Sequence, residues 1–369
     1  MKITFLIRAL NLGGAQSQMV LLAQELQKRG HEVSVIAFYD GVHKQALLAS
    51  GLAVHTLKRG RWDVFGFLWR LVKLVRHQSP DVLYGYLATC NLLTSFLRLF
   101  TPKTKSVWGV RTANLKLEYY DWLARRLGFL EVKLAGLASL IIVNSQAGQQ
   151  HLIAQGVPAG KVVVIPNGID GNRFYPDSRV REQTRAAWKI ANDEILIGMV
   201  GRIDPIKEHH VFLLAAQKLS QAYPKVRFVC VGERVNQRYQ ASLSALTEEL
   251  KLAQRVIWTG AQYDMLGVYN ALDILTNASS SEGFSNVIGE AMSCGVPCVV
   301  TDVGDSALIV GETGVVVPAN DATALMEGWV RCWQQIQQEA AKPSRQRITD
   351  HFSVHELVEQ TEAALMAIV

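Results

Sequence analysis

Glu282 and Glu290 stand eight positions apart in Glu282-Gly-Phe-Ser-Asn-Val-Ile-Gly-Glu290. Upstream, Leu272-Asp-Ile-Leu-Thr-Asn-Ala-Ser279 reads as a buried strand ending in small polar residues. Downstream, Val287 to Cys294 reads as a helix stopped by Gly295, and Val296-Pro-Cys-Val-Val-Thr301 as the next strand. One glutamate therefore lies on the loop after a strand, and the other lies inside the following helix. Open α/β sheets bind ligands outside the carboxyl ends of their strands. The first amides of that helix, near Ser285 to Val287, lack intrahelical partners and favour an anion such as phosphate. Glu290, a turn further in, suits ribose hydroxyls, and Glu282 suits hydroxyls of a second sugar. Together the pattern suggests a nucleotide-sugar. Taken alone, the same spacing also fits two solvated glutamates.

Two other loops carry chemistry. Gly198-Met-Val-Gly-Arg-Ile-Asp-Pro-Ile-Lys207 places Arg202 at the end of a strand and Lys207 after a proline turn. Two fixed cations there could hold a diphosphate and stabilise the charge it gains on leaving. A divalent metal can play that part, but the chain has no Asp-x-Asp motif, so no metal is expected. Near the N-terminus, Asn11-Leu-Gly-Gly-Ala15 brings Gly13 and Gly14 to a helix start. Paired glycines admit close backbone approach, although a plain tight turn has the same look. The loop is not G-x-G-x-x-G, which disfavours a dinucleotide dehydrogenase. His209 and His210 follow Lys207, either bordering the site or opening a helix.

The elements that must position these residues alternate along the chain. Strands are expected at 3–10, 32–38, 54–57, 81–86, 105–109, 140–144 and 162–165. A second series is expected at 195–200, 227–231, 256–259, 273–277, 296–301 and 315–317. Apolar strands alternating with helices imply parallel sheets covered on both faces. The stretch from Pro166 to Pro176 is rich in Pro, Gly, Asn and Asp and reads as a linker. With 369 residues the chain is expected to form two domains. We place an acceptor-binding domain at 1–170 and a donor-binding domain at 171–351. A C-terminal helix over about 352–369 can pack back on the first. Two doubly wound domains of this kind face each other across a cleft suited to ligands.

Charge is unevenly spread. Residues 1–133 carry a net +11 and the remainder −5. A basic half suggests an anionic surface or substrate. The segment Arg61 to His77 spaces Trp62, Phe65, Leu68, Trp69, Val72 and Val75 as on a helix, with Arg61, Arg70, Lys73 and Arg76 between them. Such a helix can lie in a membrane interface or pack on a sheet with a solvated basic face. Val82 to Phe100 is apolar enough to raise a spanning helix, yet its Gly, Thr, Asn, Ser and Arg residues favour a strand followed by a core helix. No nucleic-acid motif accompanies the basic charge. Arg8 and Asn11 interrupt any signal-peptide core. The five cysteines form no CxxC pair, so free thiols in a cytoplasmic protein are expected.

The segments Gly13-Gly14, Pro166-Asn-Gly-Ile-Asp170, Val200-Gly-Arg-Ile-Asp-Pro-Ile-Lys207 and Glu282 through Pro297, with Thr301-Asp-Val-Gly-Asp305, occur in order. Together they resemble the GT-B fold glycosyltransferases of family four, also called group 1. The resemblance runs from Met1 to about Pro318. It implies transfer from a nucleotide-sugar, of which UDP-sugars are the commonest, with retention of anomeric configuration and no metal or other cofactor. It implies Arg202 and Lys207 on the diphosphate, Glu290 on the ribose and Glu282 on the transferred sugar. The backbone around Phe284, Ser285, Asn286 and Val287 completes the donor site, with Gly13 and Gly14 facing it from the other domain. Many members carry a histidine after a strand of the first domain. Here Val107-Trp-Gly-Val-Arg-Thr-Ala-Asn114 has none, and Arg111, Thr112 and Asn114 are candidates for contact with acceptor or sugar. The expected acceptor is a lipid-linked or cell-envelope glycan, of polysaccharide or lipopolysaccharide type, at the cytosolic membrane face. A sugar-nucleotide epimerase of similar fold and a non-catalytic nucleotide-sugar binder are the alternatives.

Overall fold

The computed structural model describes residues 1–58, 60, 63–111, 122–338 and 343–369. It divides into two compact units, Met1–Gly168 with Val354–Val369, and Ile169–Ser353.

The first unit contains β1 (Lys2–Ala9), β2 (Glu32–Tyr39), β3 (Ala53–Thr56), β4 (Val82–Tyr86), β5 (Lys105–Val110), β6 (Leu140–Val143) and β7 (Val162–Val164). They form one parallel sheet in the order β3-β2-β1-β4-β5-β6-β7. β1 shows why the strands read as continuous apolar runs. Its odd residues Ile3, Phe5 and Ile7 pack with Met19, Leu22 and Leu26 of the Gly14–Lys28 helix. Its even residue Leu6 packs on the opposite face with Phe67, Leu71 and Val75 of the Val64–Gln78 helix. Both faces are covered, so both are mainly apolar, with buried Thr4 hydrogen-bonded to Ser34. The Val354–Met366 helix returns to this unit, burying Leu357, Val358 and Leu365 in the same cluster as Ile3. Glu362 on that helix accepts from Arg29 and pairs with His31, each at 2.7 Å.

The second unit contains β8 (Ile195–Val200), β9 (Val226–Val231), β10 (Val256–Gly260), β11 (Ile274–Asn277), β12 (Cys298–Thr301) and β13 (Val315–Val317). Their order is β10-β9-β8-β11-β12-β13, again all parallel. Leu196 and Val200 face one core cluster, Ile197 and Met199 the other. Asp273, expected within β11, instead pins the amino end of the sheet. Its carboxylate accepts from Arg181 (2.6 Å), from buried Arg185 (3.1 Å) and from the Leu196 amide (2.7 Å).

Val82 to Phe100 forms β4 and the Ala88–Leu97 helix. Among the described residues no helix is long and apolar enough to cross a membrane. All five cysteines are buried free thiols.

Candidate functional site

In the second sheet β8 and β11 are neighbours from which the strand order runs in opposite directions. Their carboxyl ends mark the switch point, where such sheets bind ligands. The loop after β8 carries Arg202 and Lys207, and the loop after β11 carries Glu282.

The β8 loop is held tightly. A Cβ on Gly232, at the end of β9, would lie 1.8 Å from the Gly201 carbonyl oxygen, so only glycine lets the two loops pass. Ile203 donates to the Glu233 carbonyl (2.9 Å). The Asp204 carboxylate accepts from the Ile206 amide (3.1 Å), forming the short Pro205–Lys207 turn. Glu208 then takes a left-handed conformation (φ 57°), and the His209–Ala222 helix begins. This geometry directs the Lys207 ammonium onto the Glu282 carboxylate, with which it forms an ion pair. Arg202 stays 63% exposed, 3.9 Å from Asp204.

The β11 loop is held as firmly. Asn277, its last strand residue, donates to the Ser285 hydroxyl (2.9 Å) and toward Glu282 Oε1 (3.5 Å). Ser279 Oγ donates to the same Oε1 at 2.7 Å. Thr301, at the end of β12, donates to the Ser279 carbonyl (2.7 Å). Gly304 (φ 56°) lies so close beneath Glu282 that a Cβ would stand 2.3 Å from the Glu282 carbonyl oxygen. The two loops are also joined, since the Ser280 amide donates to the Ile206 carbonyl (2.9 Å).

The helix after the loop is Asn286–Ser293, one residue earlier than expected at each end. Ser285 precedes it, but its hydroxyl accepts from Asn277 and does not cap the helix. Phe284 turns its ring into the core against Phe352 (5.4 Å), so only its backbone faces the loop. Glu290 accepts a 2.5 Å hydrogen bond from the hydroxyl of Tyr269, a fully buried side chain. Burial raises the Glu290 carboxyl to about 7, with Tyr269 and Arg173 pulling it the other way.

His209 and His210 are the first-turn residues of their helix. His209 is fully buried against Trp258 and is driven down to about 3, chiefly by burial. His210 turns to Glu208 (3.3 Å).

The first unit gives a different result. Gly13 and Gly14 lie at the carboxyl end of β1, which with β4 forms that sheet's own switch point. Arg111, a candidate for contact with acceptor or sugar, is buried in the structure. It is 9% exposed, and its terminal nitrogens donate to Tyr86 (2.8 Å), Tyr84 (3.1 Å) and Asn167 (3.3 Å). The last residue before the loop thus points between two tyrosines of β4. Thr112 and Asn114 lie outside the described residues, as do Arg61 and Trp62 of the basic helix.

Sequence reasoning missed Tyr269, Asn277 and Ser279 as supports of the two glutamates. The polar ending of β11 was a signal for Asn277 and Ser279. Nothing in the sequence linked Tyr269 to Glu290.

Residues 12–173 match the family model for Glycosyltransferase Family 4, and residues 194–335 match the model for Glycosyl transferases group 1. The chain belongs to the GT-B glycosyltransferases of family four. A GDP-mannose-dependent alpha-mannosyltransferase of Mycobacterium tuberculosis is 27% identical over 84% of this chain and 81% of its own. A D-inositol 3-phosphate glycosyltransferase of Mycobacterium sp. (strain KMS) is 33% identical over 50% of this chain, a match that spans only 42% of that relative. Among solved structures, Anabaena HepE in complex with UDP-glucose is 25% identical, with a TM-score of 0.89 and full coverage of both chains.

Proposed function

We propose that this glycosyltransferase moves a sugar from a UDP-sugar to a lipid-linked or cell-envelope glycan, with retention of configuration and no metal. The observation that carries this reading is the ion pair of Lys207 with Glu282 between the loops after β8 and β11, the strand pair at one switch point, with Arg202 exposed on the same loop as Lys207. On this reading Arg202, Lys207 and the first amides of the Asn286–Ser293 helix hold the diphosphate. Glu290 accepts the ribose hydroxyls, and Glu282 a hydroxyl of the transferred sugar. The acceptor hydroxyl attacks the anomeric carbon from the face the phosphate leaves. As the sugar–phosphate bond breaks, the departing phosphate oxygen takes the acceptor proton, so no protein base is needed. Fixed cations in place before the charge develops are an effective way to stabilise it.

The acceptor class rests on the first unit. Its Val64–Gln78 helix buries Phe67, Leu71 and Val75, yet leaves Phe65 89% and Trp69 65% exposed. Lys73 stacks over Trp69 (5.4 Å), and Arg70 and Arg76 belong to the same helix. Exposed aromatics among cations suit the cytosolic face of an anionic membrane.

A hydrolysis screen over UDP-, GDP- and ADP-sugars, with and without chelator, tests the donor. We expect turnover of a UDP-sugar that chelator leaves unchanged. Preference for GDP-mannose, the donor named for the mycobacterial relative, would overturn the choice of base. Conversion of the donor into its epimer with no acceptor would overturn transfer. Failure to bind anionic vesicles at moderate salt would remove the membrane assignment.

A further inference from the structure

Lys207 and Glu282 have different ligands to serve, the diphosphate and the transferred sugar, on the reading above, on which this inference rests. In the structure they serve each other. Glu282 Oε1 collects Lys207 Nζ, Ser279 Oγ at 2.7 Å and Asn277 Nδ2 at 3.5 Å. Its Oε2 takes no hydrogen bond among the described residues. Both side chains are withdrawn from solvent, 21% exposed for Lys207 and 12% for Glu282. The Ser280–Ile206 hydrogen bonds and the close fit of Gly304 keep the two loops in place. The carboxylate is therefore not free to swing away when a phosphate arrives at Lys207, and two anions must share one cation.

The burden differs between ligands. In a nucleotide-sugar the distal phosphate is esterified and carries a single charge, and a sugar hydroxyl can donate to Oε2. In the bare nucleoside diphosphate the same phosphate approaches about two charges near neutral pH, and no hydroxyl answers Oε2. Repulsion grows with the product of the charges and is only partly screened at a half-buried site. We propose that Glu282, through its hold on Lys207, weakens the binding of bare nucleoside diphosphate and so favours its release after transfer. Glu282 would thus act at both ends of the reaction, holding the donor's sugar before transfer and expelling the leaving group after it.

Calorimetric titration with UDP, or with GDP where that binds more tightly, tests this at low fixed salt. Glu282→Gln keeps an oxygen for Ser279 and Asn277 but removes the charge. It is expected to bind the diphosphate about tenfold more tightly and to show stronger product inhibition, although its transfer rate falls. Glu282→Asp keeps the charge and is expected to bind the diphosphate about as weakly as the wild type, although its transfer rate also falls. Unchanged or weaker diphosphate binding by a Gln variant with native circular dichroism and melting overturns the proposal. A second readout needs no variant: the wild type is expected to bind intact nucleotide-sugar more tightly than its diphosphate, and the reverse order overturns it. If the wild type binds none of UDP, GDP and ADP, the donor site itself falls and takes this inference with it.

Discussion

The chain builds the same device twice, and the two copies ended up chemically different. Each unit has a parallel sheet whose order reverses at a central pair, β1 and β4 in one, β8 and β11 in the other. In the second unit the loops after that pair carry Arg202, Lys207 and Glu282, tied together by side-chain and backbone bonds. In the first unit the loop after β1 offers Gly13 and Gly14, and β4 ends at Leu87 in a strained conformation (φ 69°, ψ 159°). Arg111, which follows β5, bonds to two tyrosines of β4 and to Asn167. Topology therefore sets where a ligand can bind, and the side chains at that place decide which one. On the proposed reading the charged loops of the second unit serve a phosphorylated donor, whereas Arg111 of the first unit is buried.

The largest effect should come from breaking the charged copy. Arg202→Ala combined with Lys207→Ala is expected to lower the transfer rate by about 10²–10³-fold or more, the loss seen when one strong transition-state donor is removed. Steady-state kinetics would measure it. Undiminished turnover would mean that the diphosphate is held elsewhere and that the two switch points differ in some other way.

The mirror experiment removes the cation of the first copy. Arg111→Met takes one donor away from each of two buried tyrosine hydroxyls and from Asn167. Removing one partner of a buried hydrogen bond costs about 1–3 kcal/mol. The expected outcome is a clearly lower melting temperature with nucleoside diphosphate affinity unchanged. A normal melting temperature with lost affinity for acceptor would return Arg111 to the site and erase the contrast.

Much of this contrast was legible before any coordinates. Every expected strand is present, because most are apolar runs covered on both faces and bounded by turn residues, the strongest signal a parallel sheet leaves; the edge strand β3 has no buried residue. Edges moved by a residue or two where a polar residue had a second task, as with Asp273, which anchors Arg181, Arg185 and the Leu196 amide. The positions of Arg202, Lys207, Glu282 and Glu290 followed from loops at strand ends. Their partners did not. The pairing of Lys207 with Glu282 depends on two loops 75 residues apart in the chain, and no local pattern encodes it. The burial of Arg111 was not legible for a related reason, since one residue at a strand end decides between facing the loop and facing the core. Tyr269 lies 21 residues from Glu290 and reads in sequence as ordinary helix core.

The smallest effect is the most specific to the charged copy, and it depends on pH. Glu290 titrates near 7 in the folded protein because burial outweighs the hydrogen bond from Tyr269 and the pull of Arg173. An ionised carboxylate is the better acceptor for ribose hydroxyls, so donor affinity should rise as pH increases through about 7. Stability should move the opposite way. A carboxyl raised above its unfolded value binds its proton more tightly when folded, so its contribution is full below the unfolded value and is lost as pH rises through the folded one. Tyr269→Phe removes a bond that favours the ionised form, and the affinity midpoint should shift upward. Glu290→Gln should flatten the affinity profile over that range and weaken donor binding at high pH. No glutamate in the first copy should produce this signature in donor binding, so the same titration with Glu131→Gln is the control. Glu131 is also raised to about 7 by burial, but it sits beside Asn91 in the first unit. A donor-affinity profile that flattens in Glu131→Gln and survives in Glu290→Gln would reverse the assignment of the two units. A profile that flattens only in Glu290→Gln ties donor binding to the second switch point by a property that its topological twin does not share.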